Sequence, residues 1–340
     1  MRALPFAALL LAGCATTSAP LATEAPMVAA TAETDPVDTA ADAADDPAIW
    51  RNPADPSKSL VIGTDKKAGI HVYSLAGKRL SFTPAERLNN VDLRETGARV
   101  IAAASDRADV AIAHVSLFTL DTAAAKLVPL GRFPVGAGEA YGMCLWTRAR
   151  DHALFGFVVL KDGRIDQVAI DLSAATPKVT TVRSMKLATQ SEGCVVDDRT
   201  GQLYVAEEDV GLWRFDADPS AATTATAIAK VDGKTLVADA EGLALAPSGR
   251  TGGYLVASSQ GDNAYTLYRL PGVTYAGRFR IGGGAIDGTS DTDGIDLMLG
   301  NFGPAYPRGL LVAQDGDNAP ATQNFKYVSW DAVRRALKLR

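Results

Sequence analysis

Charged and amide side chains recur along the chain wherever a short apolar run ends. Taken in order, these polar stops are Lys66 with Lys67, Arg107, Lys161, Glu207 with Glu208 and Asp209, Gln260, and Gln314 with Asp315. The first three stops are cationic, whereas the last three carry carboxylates or amides. Lysine and arginine bind phosphoryl oxygens, and a carboxylate cluster without histidine or cysteine favours a hard cation such as Ca²⁺ over zinc. The pattern therefore indicates a site where a phosphorylated anion and a metal ion bind side by side.

Turns ahead of the polar stops carry a second set of acidic, amide and aromatic side chains. They are Asp45, Asp46, Asn90, Tyr141, Glu192, Asp239, Glu241, Asp291 and Asp293. A cation held by such carboxylates lowers the pKa of water, and a facing row of Lys and Arg neutralises charge in a transition state. Phosphate ester hydrolysis by an activated water is the chemistry that this combination predicts. His71, His114 and His152 are isolated in the sequence, which argues against a histidine phosphatase.

The elements that must position these side chains are β-strands. Short runs rich in Val, Ile, Leu and Tyr alternate with Gly, Asp and Asn, and a helical period is sustained only from Asp331 to Leu339. Successive polar stops lie 41 to 54 residues apart, which is the spacing of four-stranded propeller blades. We therefore predict an all-β chain folded as a six-bladed β-propeller, in which equivalent positions of different blades converge near the axis. An open β-sandwich is the alternative, but it leaves the sixfold recurrence unexplained.

Composition and charge restrict the partners. Of the 340 residues, 47% are hydrophobic and 21% are charged, which suffices for one large domain or two small ones. The formal net charge of −5 and the lack of any Lys/Arg run of five or more argue against nucleic acid as a partner. The same charge would repel a polyphosphorylated substrate, so that activity requires clustered cations or bound metal. A monomer is the expected state.

The N-terminus has the pattern of an export signal. Residues 1–13 contain one arginine and a short apolar run, and the ending Leu11-Ala12-Gly13-Cys14 resembles the bacterial lipobox. The sequence therefore predicts a lipoprotein signal peptide over 1–13, a lipidated Cys14, and anchoring of the exported protein to the bacterial outer membrane. Cleavage of an ordinary signal peptide is the alternative. An Ala-, Thr- and Pro-rich linker over 14–32 is expected to lead to a propeller domain over 33–340.

Two cysteines remain beyond Cys14. Cys144 and Cys194 each lie in an apolar run, and two are too few for a disulfide framework. We therefore expect two buried free thiols, with a bond between them as the alternative.

Longer motifs resemble those of the bacterial β-propeller phytases. The resemblance covers roughly Glu33 to Trp330, and it is carried by DDPAIW, TDKKAGIHVYSLAGK, LNNVDLR, SEGCVVDDRTGQLYVAEEDVGLW, ADAEGLAL, GYLVASSQGDNAYTLY, DGTSDTDGIDL, GLLVAQDGDN and QNFKYVSW. It implies a six-bladed propeller that binds several structural and catalytic Ca²⁺ ions. It also implies removal of phosphate from myo-inositol hexakisphosphate (phytate), with the calcium–phytate complex as the preferred substrate.

The resemblance also implies roles for individual residues, motif by motif. The implied phosphate-binding residues are Lys66, Lys67, Arg107, Tyr141, Lys161 and Gln260. The implied catalytic residues are Glu192 and Glu208 together with Lys66, Arg107, Tyr141 and Lys161. The implied ligands of catalytic calcium are Asp45, Glu192, Glu208, Asp239 and Glu241. Asp293 lies in a matching motif and is included among the metal ligands, with contact to phosphate or to neither as the alternatives. A tighter structural calcium site is implied at Asp46, the Val91 carbonyl, Asp287, Asp315, Asp317 and Asn318, with Glu33 as a further contributor.

Two other functions fit a propeller with such a site. One is a binding protein that captures calcium and phosphorylated ligands without turnover. The other is a different metal-dependent propeller enzyme, such as a sugar lactonase. The intact row of cations favours phytate hydrolysis over both. One departure from the family concerns metal affinity, because Asp317 stands where the family usually has Glu and shortens that ligand by one methylene.

Overall fold

The computed structural model describes residues 24–339. The predicted signal peptide, Cys14 and the first part of the predicted linker lie outside these residues. Strands dominate the described chain and form six sheets, which confirms the predicted six-bladed β-propeller. Within residues 24–339, no helix has the length and apolar character needed to cross a membrane.

Two short strands, β1 (Met27–Val28) and β2 (Ala32–Glu33), precede the first blade. Each blade then begins with the strand nearest the axis and continues outward. The strands of blade 1 are β3 (Ala44–Trp50), β4 (Leu60–Asp65), β5 (Gly69–Ser74) and β6 (Arg79–Pro84). Those of blade 2 are β7 (Leu88–Thr96), β8 (Arg99–Asp106), β9 (Ile112–Asp121) and β10 (Lys126–Ala137). Those of blade 3 are β11 (Ala140–Thr147), β12 (Leu154–Leu160), β13 (Arg164–Asp171) and β14 (Lys178–Lys186).

The remaining blades follow the same order, and a helix ends the chain. The strands of blade 4 are β15 (Ser191–Asp197), β16 (Gln202–Glu207), β17 (Gly211–Asp216) and β18 (Thr226–Lys230). Those of blade 5 are β19 (Ala240–Ser248), β20 (Gly252–Ser259), β21 (Ala264–Leu270) and β22 (Thr274–Ile281). Those of blade 6 are β23 (Ile295–Leu299), β24 (Gly309–Asp315) and β25 (Asn324–Ser329). The helix α1 (Trp330–Ala336) overlaps the stretch where a helical period is predicted and begins one residue before it.

Contacts between blades close the ring. The inner strands β3, β7, β11, β15, β19 and β23 contact one another in sequence, and β23 also contacts β3. In the described chain, an apolar cluster fills the space between each pair of neighbouring blades. Between blades 1 and 2, for example, Ile62 and Ile70 share a cluster with Ala102 and Phe118. Each fully buried large apolar side chain stabilises the fold by about 1.5–3 kcal/mol, so the blade faces hold the ring together.

The N-terminal segment completes two blades. Strand β2 pairs antiparallel with β25 and supplies the fourth strand of blade 6. Strand β1 pairs parallel with β22 and adds a fifth strand to blade 5. Strand pairing therefore begins at Met27, ahead of the predicted domain start at Glu33, so residues 27–32 do not belong to a free linker.

The prediction of two free thiols is wrong. Cys144 on β11 and Cys194 on β15 form a disulfide, with their Cα atoms 5.7 Å apart. Each cysteine lies shortly after the site residue of its inner strand, Tyr141 in one blade and Glu192 in the next. Contact between the neighbouring inner strands brings the two side chains within bonding distance, although Cys144 is three residues after Tyr141 and Cys194 is two residues after Glu192. The apolar context of each cysteine in the sequence did not reveal this pairing.

Candidate active site

The polar residues of the inner strands lie at β-bulges. In β3, β7, β11, β15 and β19, the register with the second strand breaks near the start of the inner strand. The polar residues within these breaks are Asp45, Asp46, Asn89, Asn90, Tyr141, Glu192 and Glu241. A bulge bends the strand and leaves a residue unpaired, so side chains there can depart from the alternation of a regular strand. The bulges therefore gather polar side chains from five blades at one end of the inner strands.

Glycines beside these residues let neighbouring inner strands approach closely. Gly193 follows Glu192, and a Cβ atom at Gly193 would lie 2.3 Å from the Glu241 carbonyl oxygen of the next blade. Gly142 follows Tyr141, and a Cβ atom there would lie 1.9 Å from the Glu192 carbonyl oxygen. Since no larger residue fits these contacts, the glycines set the spacing between the site residues of successive blades.

A cavity of about 780 Å³, which we call the mouth cavity, opens where these residues meet. The predicted site residues that line it are Lys66, Tyr141, Glu208, Asp239, Glu241, Gln260, Asp293, Asp317 and Asn318. Asp42 and Gln190, which the sequence interpretation does not include, line it too. The structure therefore brings together residues that the repeat predicts to converge, although they are distant in the chain.

Glu192, Glu208 and Glu241 form a carboxylate cluster on blades 4 and 5. One oxygen of each lies within 4.8 Å of those of the other two, and all three residues are buried. Burial, followed by the charges of neighbouring carboxylates, raises the pKa of Glu192 and Glu241 well above the ordinary range. The Oε2 atom of Glu241 is buried without a hydrogen-bond partner among the described residues. Three buried carboxylates with an unpaired oxygen fit the oxygen-ligand preference of a hard cation, so the cluster could hold a metal ion.

Lys66 lies within the acidic part of the site. Its ammonium is 2.8 Å from Asp42, 3.1 Å from Asp45 and 2.9 Å from Asp293. Burial alone would lower the pKa of Lys66, but the carboxylates of Asp45 and Asp293 raise it above the ordinary value. Burial also raises the pKa of Asp293 to about 7, against the opposing effect of Lys66. The lysine that the resemblance assigns to phosphate is thus engaged by carboxylates in this structure.

Arg107, Tyr141 and Lys161 form the cationic side of the site. The Arg107 guanidinium carbon and the Lys161 ammonium lie 5.1 and 5.3 Å from the centre of the Tyr141 ring. Glu139 contacts both Arg107 and Lys161. Its Oε1 accepts from Arg107 Nε at 2.9 Å, and its main-chain carbonyl accepts the main-chain N–H of Lys161 at 3.1 Å. Asn89 accepts from the Arg107 guanidinium at 2.9 Å. This group places two positive charges beside the Tyr141 ring, and the charge of Arg107 is paired with Glu139.

Tyr141 connects the cationic side to the carboxylate cluster. Burial, followed by the charges of Glu192 and Glu241, raises the pKa of its phenol above the ordinary value. Burial likewise raises the pKa of Glu208, and the charge of Lys161 opposes that rise. The phenol therefore keeps its proton, and the positive and negative halves of the site lie close enough to influence each other.

Two amides orient carboxylates at the mouth cavity. Gln190 Nε2 donates to both oxygens of Glu208, at 2.9 and 2.8 Å. Gln260 Nε2 donates to Asp293 Oδ1 at 2.7 Å, so Gln260 contacts a carboxylate, and its implied phosphate contact stays a prediction. Asp239 is partly buried at the same cavity, and burial followed by the charge of Asp209 raises its pKa.

Two members of the polar stops face other parts of the structure. Lys67 is exposed, and its ammonium donates to the Ala40 carbonyl at 3.1 Å. Glu207 accepts the Thr189 N–H at 2.7 Å and the Trp213 indole N–H at 2.7 Å, within blade 4. Adjacent residues at a strand end point in different directions, which a sequence pattern does not resolve.

The residues of the implied structural calcium site have two different sets of neighbours. Glu33, Asp287, Asp315 and Asn318 surround the ammonium of Lys326, whose side chain is fully buried. The ammonium is 2.5 Å from Glu33 Oε2 and 3.3 Å from Asp315 Oδ2. A buried lysine, which the sequence interpretation missed, therefore supplies positive charge among these ligands.

The other implied structural ligands, Asp46, Val91 and Asp317, have partners other than Lys326. The Asp46 carboxylate accepts the Val91 N–H at 2.9 Å, between the inner strands of blades 1 and 2. Val91 thus meets Asp46 through its N–H, and the implied role of its carbonyl stays a prediction. Asp317 is exposed at the mouth cavity, and its carboxylate accepts the Ala319 N–H at 3.2 Å.

Comparison with known proteins gives a family and a relative. A family model described as Phytase matches residues 3–339. The chain is 42% identical over 329 residues to a 3-phytase from Bacillus subtilis (strain 168), and the match covers 91% of this chain and 85% of that protein.

Similarity to solved structures is weaker. A chain of a mitotic checkpoint complex gives a TM-score of 0.48 at 12% identity, over 95% of this chain and 87% of that one. A functionally unknown protein from Desulfotomaculum acetoxidans DSM 771 gives 0.47 at 17% identity, over 68% of this chain and 70% of that one. Likenesses at this level support no argument about the present chain.

Proposed function

The chain belongs to the phytase family, and from that premise we propose that it hydrolyses phosphate monoesters of phytate with the aid of calcium. The observation that carries the proposal is the buried carboxylate cluster beside two cations that flank the Tyr141 ring. Lower inositol phosphates and inorganic phosphate are the proposed products. The calcium–phytate complex is the proposed form of the substrate.

We propose that Glu192, Glu208 and Glu241 hold catalytic calcium, with oxygen atoms of Asp45, Asp239 and Asp293 nearby. The buried Glu241 Oε2 without a partner and the raised pKa values of the cluster support this assignment. Bound calcium supplies positive charge that offsets these carboxylates and lowers the pKa of water, which is the chemistry that ester hydrolysis needs.

The chain's own cations orient the substrate in this proposal. Arg107 and Lys161 bind phosphoryl oxygens and neutralise the charge that develops in the transition state. Tyr141, whose phenol keeps its proton, donates a hydrogen bond to the same phosphoryl group. Glu139 and Asn89 keep the Arg107 guanidinium in a fixed orientation, which lowers the entropy cost of binding.

A phosphate-release assay tests the proposal. Purified protein is incubated with phytate, first with calcium, then with a chelator, and then with calcium restored. We expect release only when calcium is present, and a lower melting temperature under chelation, because a ligand of the folded state stabilises it. Binding of phytate without release would support the binding-protein alternative. Hydrolysis of lactones that survives Lys161→Ala would support the lactonase alternative.

We also propose that the protein is exported and anchored to the outer membrane through a lipid on Cys14, and that it is a monomer. The lipobox resemblance alone supports the anchor. Labelling with radioactive palmitate, compared between the native protein and Cys14→Ser, tests it. Lack of label in the native protein would count against the anchor, and sedimentation gives the oligomeric state.

A further inference from the structure

Two consecutive asparagines on blade 2 contact both halves of the proposed site. Asn89 and Asn90 lie in the bulge of β7, where the register breaks between Leu88 and Val91. In a regular strand, consecutive side chains point to opposite faces, so the bulge lets both of them reach the site. Both residues are buried, with 0% and 3% of their surface exposed, so their amides must find partners within the protein.

Asn89 bridges the carboxylate cluster and the cationic side. Its Nδ2 donates to Glu192 Oε1 at 2.8 Å and lies 3.4 Å from Asp45 Oδ1. Its Oδ1 accepts from the Arg107 guanidinium at 2.9 Å. An amide combines a donor and an acceptor in one small group, which lets a single side chain serve a carboxylate and a guanidinium together.

Asn90 contacts the carboxylate side but not Arg107. Turning its amide so that the nitrogen faces Glu192 Oε1 at 3.0 Å and the Tyr141 carbonyl at 2.9 Å satisfies both acceptors, and this orientation replaces the one in which its oxygen accepts from Asn89 Nδ2 at 3.0 Å. Its main-chain N–H donates to Ser105 Oγ at 3.0 Å, and that hydroxyl donates to the Tyr141 carbonyl at 2.5 Å. Two amide donors thus converge on one oxygen of Glu192 and fix the direction in which the carboxylate faces.

We propose that Asn89 and Asn90 are positioning residues that hold Glu192 for metal binding, and that Asn89 also holds Arg107 for phosphate binding. This inference rests on the proposed function of the site. Loss of a group that orients a metal ligand typically weakens metal binding about 10- to 100-fold. Because both residues contact Glu192 but only Asn89 contacts Arg107, their removal has different expected effects on the two ligands.

Direct binding measurements on Asn89→Leu and Asn90→Leu test the inference. Calorimetry on chelator-treated protein gives the affinity for calcium alone and, in a separate titration, for inorganic phosphate alone. We expect both variants to bind calcium about 10- to 100-fold more weakly. Only Asn89→Leu is expected to lose affinity for phosphate as well.

Gln167→Leu is the matched control. Gln167 is a fully buried amide whose Nε2 donates to the Ala217 carbonyl at 2.8 Å and whose oxygen accepts from Arg183. Its loss removes one hydrogen bond between blades 3 and 4 and one within blade 3, without touching the site. We expect a lower melting temperature and unchanged affinities for calcium and phosphate.

Three outcomes would overturn the inference. They are native calcium affinity in both variants, equal loss of phosphate affinity in both variants, and failure of the native protein to bind calcium. If either Leu variant does not fold, Asn89→Ser and Asn90→Ser replace the pair and carry the same expectations. If the native protein binds both ligands but releases no phosphate from phytate, the proposed function fails while the binding comparison still decides whether the asparagines position the site.

Discussion

Glu207 and Glu208 show how residues adjacent in the chain take different tasks. Glu208 belongs to the carboxylate cluster and receives both of its hydrogen bonds from the Gln190 amide. Glu207 is fully buried and binds Thr189 and Trp213 within blade 4. A sequence pattern marks both as the polar end of one strand, but only the side-chain directions separate a site residue from a structural one.

The pair Glu208→Gln and Glu207→Gln separates these tasks. We expect Glu208→Gln to lower calcium-dependent phosphate release on the order of 100-fold, because the cluster loses a charged oxygen ligand. Glu207→Gln turns an amide N–H toward a donor and is expected to cost about 1–3 kcal/mol of unfolding free energy with little loss of activity. Phosphate-release kinetics and urea denaturation check the two effects. Loss of activity in Glu207→Gln together with native activity in Glu208→Gln would contradict the assignment.

Asp296, to which we assign no metal contact, gives a prediction about pH. It lies on β23 at a second cavity of about 350 Å³ along the inner strands, and its carboxylate accepts the Ile49 and Leu297 N–H groups. Burial, followed by the charge of Asp92, raises its pKa to about 7. Between pH of about 4 and about 7, the unfolded chain has lost this proton while the folded chain retains it, so stability falls as pH rises.

Asp296→Asn removes that dependence. We compare the unfolding free energy of the native protein with that of the variant. We expect the difference, native minus variant, to be larger at about pH 5 than at about pH 8, because only the native protein carries the carboxyl group whose ionisation destabilises the fold across this window. Urea denaturation at both pH values, with calcium held constant, checks the prediction. A difference in unfolding free energy between the two proteins that is the same at both pH values would contradict the assigned pKa.

At the scale of the elements, the bulge and the glycine beside it act together. The bulge turns a polar side chain toward the site, and the glycine allows the next blade to approach. The sequence showed Glu-Gly and Tyr-Gly pairs at the right spacing, and this is why the convergence of Glu192, Glu241 and Tyr141 was predictable. The contacts of Asn89, Glu139 and Lys326 were not predictable, since they depend on the direction of each side chain across blades.

Gly193→Ala tests the close approach of blades 4 and 5. A methyl group there meets the Glu241 main chain, which cannot rotate away, so we expect a cost of about 1–3 kcal/mol and reduced calcium affinity. Gly272→Ala is the matched control, because the nearest atom to its Cβ is Thr274 Cγ2 at 3.9 Å. Thermal unfolding and calcium titration compare them. Native behaviour of Gly193→Ala would show that the inner strands tolerate a wider spacing.

The disulfide between β11 and β15 gives a second test at this scale. Cys144 and Cys194 are 50 residues apart, and closing a loop of that length constrains the unfolded chain by about 4 kcal/mol. We expect the Cys144→Ala/Cys194→Ala variant to lose stability by about that amount, and reducing agent to affect the native protein alone. Urea denaturation with and without reductant checks this. If the unsubstituted protein, denatured without reductant, shows two titratable thiols at these positions, the bond is contradicted.

At the scale of the whole molecule, the fold was predictable because its repeat is visible in the chain. Polar stops at blade spacing required six similar sheets, and closing them into a ring covers both faces of each sheet. The closing strand was not predictable, because β2 is two residues long and carries no repeat pattern. Its place in blade 6 follows from an unpaired edge on β25 that only the assembled ring presents.

Truncation of the N-terminus tests this closure. A chain that begins at residue 30 loses β1 and retains β2, whereas one that begins at residue 36 loses both strands and the Glu33 partner of Lys326. We expect a small loss of melting temperature in the first chain. In the second we expect a loss of several kcal/mol and association through the exposed edge of β25. Thermal unfolding and gel filtration distinguish the two, and equal behaviour would mean that β2 does not close the ring.

The pairing of β2 with β25 also has a consequence for biosynthesis. The ribosome makes β25 about 15 to 60 seconds after β2 at ordinary elongation rates. During that interval blade 6 cannot form completely, even if the earlier blades have already folded. Completion of the ring therefore has to wait for the synthesis of β25, and chaperones that protect unpaired strands have their main opportunity to act before it.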